Sequence, residues 1–176
     1  MTITPPAAHE TFGFYDYYIK KFAADTDLVT ALTTIHNDTL ALLNPLSNEA
    51  LNYRYAEGKW SIKEVLQHLI DSERSFCFRA MRFSRNELSV IPGYDVHTFV
   101  TSSLADTRTK EDLLQEWELL RNATLLQFKT LHPSVLELSG PARDTQLSVR
   151  SIGFLIAGHE MHHINVIKEK YLVQTA

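Results

Sequence analysis

The densest group of residues able to do chemistry lies in Ile152-Gly-Phe-Leu-Ile-Ala-Gly-His159-Glu160-Met-His162-His163-Ile-Asn-Val-Ile167. A rotation of about 100° per residue puts Ile152, Ile156, His159, His163 and Ile167 along one narrow helix face, with both histidines near its centre. Side chains four apart sit one turn apart on the same surface, so both imidazoles can reach one ion at metal–nitrogen distances of about 2.0–2.1 Å. Imidazoles against aliphatic walls cost free energy unless their nitrogens find partners. A cation satisfies both at once; hydrogen bonding within the core is the plainer alternative.

A third ligand can come from Trp60-Ser-Ile-Lys-Glu-Val-Leu-Gln-His68-Leu-Ile-Asp-Ser-Glu73, where His68 sits at the edge of its helix's apolar arc. Glu73 falls inside that arc and is the candidate catalytic carboxylate, either paired with a buried base or close to the metal. His36 also faces inward, between Leu32 and Leu40, as a possible fourth ligand or a hydrogen-bonding neighbour of one. Residues 159–163 match H-E-x-x-H, the zinc-protease signature with Glu as general base. The longer protease form needs Gly at position 166 and His at position 169, where this chain has Val166 and Glu169, so the match reads as chance. Cys77 lies on an apolar side and reads as a small core residue.

Positioning these groups takes helices. Glycine is scarce, at six residues, and apolar residues recur at helical spacing with no convincing alternating run between them. The expected fold is all-α: a four-helix bundle with a long crossover connection between helices two and three. The first helix spans about 27–43 and stops before Pro45. The second opens at Ser61 with a capping box to Glu64; the third opens at Thr109, with Asp112 three residues on, and ends at His132-Pro133; the fourth runs from near Ser148 to about Leu172. An aromatic segment, 12–22, packs across the bundle. The connection 86–108 contains Pro92-Gly93 and a short helical turn around 96–104, and it either crosses between ends or covers the mouth.

One domain, 1–176, with 1–10 as a flexible tail, fits the length, and 44% hydrophobic with 22% charged residues is ordinary for a globular chain. A net charge of -4 and no long Lys/Arg cluster argue against nucleic acid, and no apolar run reaches membrane-spanning length. A lone cysteine and no signal-like start point to the cytoplasm. Exposed aromatics (Phe12, Phe14, Tyr15, Tyr17, Tyr18) suggest a homodimer or a cap on the bundle.

Taken together, Trp60-Ser-Ile-Lys-Glu-x-x-x-His68-Leu-x-Asp-x-Glu73, Ile91-Pro-Gly-Tyr-Asp95 and Ala157-Gly-His159-Glu-x-His-His163 resemble the DinB-like family, the YfiT/DinB superfamily, over about 27–172. The resemblance implies a crossover four-helix bundle, often a homodimer, with a metal held by His68, His159 and His163. Many members carry a Gln shortly after the second His of the last helix, where this chain reads Ile164-Asn165-Val166.

Three imidazoles leave a coordination position open, which is the architecture of a catalytic ion; imidazole suits zinc, nickel, iron and copper alike, and zinc or nickel is the expectation. Such an ion can bring bound water or thiol to a nucleophilic state near neutral pH. The family resemblance therefore implies transfer of a low-molecular-weight thiol, acting as cosubstrate, to a small electrophile, or hydrolysis of a small substrate. A non-catalytic metal-binding or interaction bundle is the competing class, and an open pocket at the ion discriminates against it. Arg79, Arg82, Arg85 and Arg150 form either a small anion site or a scattered solvated face.

Overall fold

The computed structural model describes residues 1–10 and 13–172. Phe12, one of the aromatics expected at an interface, lies outside them. The order is α1 (Asp16–Ile19), α2 (Leu28–Leu43), α3 (Asn48–Leu51), α4 (Ile62–Phe83), α5 (Val96–Ser102), α6 (Lys110–Thr130), a hairpin of β1 (Ser139–Ala142) and β2 (Thr145–Ser148), then α7 (Val149–Val166) and a π-helical turn, Ile167–Tyr171. Helices α2, α4, α6 and α7 form the expected bundle. None of the described helices is long and apolar enough to cross a membrane.

Each long helix starts where the side chains say it should. Asp27 accepts from the Thr30 amide at 3.0 Å and opens α2. At α4 the box is reciprocal: Ser61 accepts from the Glu64 amide at 3.0 Å while Glu64 accepts from the Ser61 amide at 2.8 Å. Thr109 and Ser148 cap α6 and α7 in the same sense, each accepting from an amide at 3.1 Å. Satisfying these end amides is worth about 1 kcal/mol per cap.

Two parts of the sequence reading need correction. The hairpin was not expected: its two-residue turn is Arg143-Asp144, with Arg143 at φ 55°, rather than the Asn-Gly that announces such turns, and Gly140 and Pro141 weaken the strand signal. The segment 1–10, expected as a free tail, is tied to the bundle. Ile3 is 1% exposed, its amide donates to Asp27 at 3.0 Å, and Glu10 is buried in an ion pair with Arg150.

The interior has two apolar cores. One gathers Leu28, Leu32, Phe83, Phe128, Phe154 and Ile156; the other gathers Leu43, Leu66, Ile70, Trp117, Ile164 and Tyr171. Between them every long helix contributes polar groups: His36 and Thr39 from α2, His68, Ser72 and Glu73 from α4, Arg121 and Thr124 from α6, His159 and Glu160 from α7, all buried. The candidate chemistry is this mid-bundle polar layer.

Candidate metal centre

Within the layer, His159 Nε2 lies 3.2 Å from His68 Nε2 and 3.2 Å from His163 Nε2. The ligand atoms of the three rings lie within 4.8 Å of one another, and this is the histidine group that could hold a metal ion among the described residues. A tetrahedral ion with metal–nitrogen bonds of about 2.0–2.1 Å separates its ligand nitrogens by about 3.3 Å, close to the observed spacing. Each Nε2 carries either one hydrogen or one lone pair, so three converging on a point cannot all satisfy one another. The donor set fits a divalent cation.

Packing holds the rings. α4 and α7 lie against each other, and Trp60 packs on the His68 ring at 5.1 Å, while Ser72 Oγ stands 3.5 Å from His68 Nδ1. α1 crosses α7 at Gly158, where an added Cβ would lie 2.2 Å from the Tyr18 carbonyl oxygen, so only glycine allows this approach. The crossing sets Tyr18 edge-on to His159 at 5.4 Å. Tyr18, expected to be exposed, is therefore buried; Phe14 and Tyr17 are exposed as anticipated. Burial keeps all three imidazoles neutral: it lowers His68 to about 4 and, with the neighbouring histidines, His163 to about 3, and it pushes His159 well below its usual value.

Beside the histidines lies a second cluster. Arg121 Nε and Nη2 donate to the two Glu73 oxygens at 2.9 and 2.7 Å, and Nη1 donates to the Leu32 carbonyl at 3.0 Å. Of the two expectations for Glu73, the geometry shows the buried base. Burial raises the Glu73 pKa, but Arg121 outweighs it and holds the carboxyl below its usual value. Arg121 Nη2 also stands 2.7 Å from Glu160 Oε2. Thr39 Oγ1 has both the Ile35 carbonyl (2.8 Å) and Glu160 Oε1 (2.7 Å) in reach, yet a hydroxyl has one hydrogen. Both contacts are made when Thr39 donates to Ile35 and a protonated Glu160 donates to Thr39. Burial raises the Glu160 pKa in that direction. Glu160 is thus buried and engaged by Arg121 and Thr39 rather than facing the open pocket, which argues against the H-E-x-x-H reading.

The sequence reading did not name Arg121, although its place in the stripe Leu113, Trp117, Arg121, Thr124, Phe128 signals it. A cavity of about 10 Å³, the size of one water, separates the clusters and is lined by His159, Glu73, Arg121 and Glu160 among others. His36 stands apart from the histidines, edge-on to Trp117 at 5.0 Å, with neither ring nitrogen hydrogen-bonded; burial lowers it to about 4. Cys77 packs against the first core, 3.2 Å from Thr124 Oγ1, and burial pushes its thiol up to about 12.

The histidine cluster opens into a pocket of about 270 Å³. Its walls include Tyr18 from α1, Ser72 and Phe76 from α4, Leu155 from α7, and Gly93 and Tyr94 from the long connection, which therefore covers the mouth. Arg79 and Arg143 also line it, and among the described residues no Asp or Glu does. Of the four arginines expected at an anion site, Arg82 pairs with Glu87, Arg150 pairs with Glu10 and Glu137, and Arg85 donates to the Met81 carbonyl and Ser84; only Arg79 lines the pocket. Sequence reasoning missed Tyr94 and Arg143 as pocket residues, because both lie outside the long helices.

Known proteins are similar to this chain in sequence and in fold. The chain is 29% identical over 136 residues to YfiT of Bacillus subtilis, named a candidate metal-dependent hydrolase, covering 70% of this chain and 71% of that one. It is 21% identical over 126 residues to OB0413 of Oceanobacillus iheyensis, named in the same way, covering 72% and 73%. The solved structure of YfiT, described as an unusual four-helix bundle topology, superposes with a TM-score of 0.73 at 19% identity over 81% of this chain and 82% of that one. The DinB superfamily model matches residues 31–167, and the chain belongs to the DinB superfamily.

Proposed function

We propose that this protein is a divalent-metal-dependent enzyme whose ion, zinc or nickel, sits on His68, His159 and His163, and that it transfers a low-molecular-weight thiol to a small electrophile. The observation that carries this reading is a cluster of three neutral imidazoles at a ligand-sized pocket lined by no carboxylate. When bound, the ion supplies Lewis acidity that brings a thiol or water near its deprotonated state at neutral pH. Water, far less acidic than a thiol, gains most from a carboxylate base, and the nearest ones, Glu73 and Glu160, are engaged with Arg121. A thiol needs no such base. In the transfer its S–H bond breaks, the proton leaves to solvent, and a sulfur–carbon bond forms as the electrophile's leaving group departs.

The chain's own residues divide the work. The three imidazoles stay unprotonated at neutral pH because they are buried, which keeps their lone pairs available. Trp60 and Tyr18 fix the ring planes, and Phe76 and Leu155 exclude water from the pocket wall. Glu73 is a positioning residue: through Arg121 it fixes α4 against α6.

Hydrolysis of a small substrate is the second reading, favoured by the names carried by both relatives. Incubating zinc- or nickel-loaded protein with 1-chloro-2,4-dinitrobenzene and a panel of thiols tests the choice. Thiol conjugation lost in His163→Ala supports transfer. Thiol-independent cleavage of p-nitrophenyl acetate, without conjugation, supports hydrolysis.

A further inference from the structure

The pocket over the histidines has a second, cationic pole. His68, Ser72, Phe76 and Arg79 follow one another along a single face of α4 and all line the pocket. At 1.5 Å per residue the His68 and Arg79 backbones stand about 16 Å apart, and helical side chains lean toward the N-terminus, which brings the guanidinium back toward the histidines. Arg79 donates to the Pro141 carbonyl at 3.3 Å and the Ile91 carbonyl at 3.2 Å. These neutral acceptors anchor it between hairpin and connection without cancelling its charge. Arg143, at the hairpin turn, stands 5.6 Å over the Phe14 ring and reaches the same pocket.

Charge pairing elsewhere makes these two unusual. Arg54, Arg74, Arg82, Arg108, Arg121 and Arg150 each meet a carboxylate. Among the described residues Arg79, Arg85 and Arg143 have no such ion pair; Arg85 bonds to its own helix end at Met81 and Ser84, whereas Arg79 and Arg143 both face a pocket with no Asp or Glu in its lining, in a chain whose net charge is -4. Asp144 lies next to Arg143 on the exposed turn but does not line the pocket.

We infer that the pocket takes an organic anion: a small molecule whose reactive end meets the histidine cluster, whose apolar body lies along Phe76, Tyr94 and Leu155, and whose carboxylate or phosphate is held by Arg79 and Arg143. The reactive end rests on the proposed function; the arginine pole does not. Fixed, paired guanidiniums recognise carboxylate and phosphate oxygens better than any neutral group of the same shape.

Calorimetric titration of the full chain with 3-phenylpropionate, 2-phenylethyl phosphate and neutral 3-phenyl-1-propanol tests this, before and after removal of metal by a chelator. At least one anion is expected to bind tenfold or more tightly than the alcohol, the better one identifying the tail. Arg79→Gln and Arg143→Gln should each remove most of that preference and leave alcohol binding unchanged. Arg143 is exposed, so its variant reads the charge without risk to the fold. Equal affinities, no anion binding at 10 mM, or a preference that survives both substitutions would overturn the inference. A preference that disappears with the metal would show that the ion holds the tail, and would overturn it too. Because the arginine test also runs on metal-stripped protein, it stands or falls separately from the proposed reaction.

Discussion

The two polar clusters of the mid-bundle layer are built from the same helices yet differ in whether their charges close. On α7, His159 and Glu160 are consecutive yet join different clusters; on α4, His68 and Glu73 divide likewise. The carboxylate cluster brings its own cation, Arg121, and its inventory balances with Glu160 protonated. The histidine cluster brings three neutral imidazoles and no cation among its own side chains, and it opens on a pocket. The first holds helices together; the second leaves its lone pairs facing a pocket, where an ion from outside could take them. Buried polar groups alone therefore do not mark a site: an incomplete inventory at an open cavity does.

The largest effect should come from breaking the closed cluster. Arg121→Met, or Glu73→Gln, leaves an uncompensated buried charge and should cost about 3–5 kcal/mol of unfolding free energy in urea titrations. His159→Ala should fold far better, because it removes a neutral imidazole and leaves no buried charge unpaired. Next, zinc at a hundredfold excess over its Kd should stabilise the wild type by about 2.7 kcal/mol and leave His159→Ala unmoved in thermal melts. Stabilisation of both proteins alike would erase the contrast between the clusters.

His36 belongs to neither cluster and should show its cost in acid. Its folded pKa, about 4, lies below the ordinary 6.5, so the unfolded chain takes up the proton first. The stability that a neutral His36 preserves is present above pH 6.5 and drains away as pH falls toward 4. His36→Phe keeps an aromatic edge against Trp117 and should flatten that limb by roughly 2–3 kcal/mol at pH 4, measured as unfolding free energy against pH. The smallest effect is Glu160→Gln, which mimics the protonated acid and should cost under about 1 kcal/mol by urea titration. A loss as large as that of Glu73→Gln would mean that Glu160 is ionised.

Periodicity and caps made the bundle legible. Asp27, Ser61, Thr109 and Ser148 mark helix starts in the sequence and cap them in the structure, and the spacing of His159 and His163 predicts their shared face. His68 needed the family resemblance, since an edge position looks alike whether a ring turns in or out. The remaining features depend on long-range packing that periodicity does not encode. Ile3 is buried because Asp27 and Leu28 tie its backbone down. Arg143 reaches the pocket because an unadvertised hairpin turns there. Arg121 and Thr39 are ordinary helix residues until α2, α6 and α7 meet around Glu160.

Elemental analysis of the protein purified without a histidine tag, beside His159→Ala, tests the central claim most directly. The account predicts about one equivalent of a transition metal per wild-type chain and almost none in the variant, with helical content unchanged. A wild type that folds without metal and gains no stability when zinc or nickel is added, or a variant that keeps its metal, would contradict it.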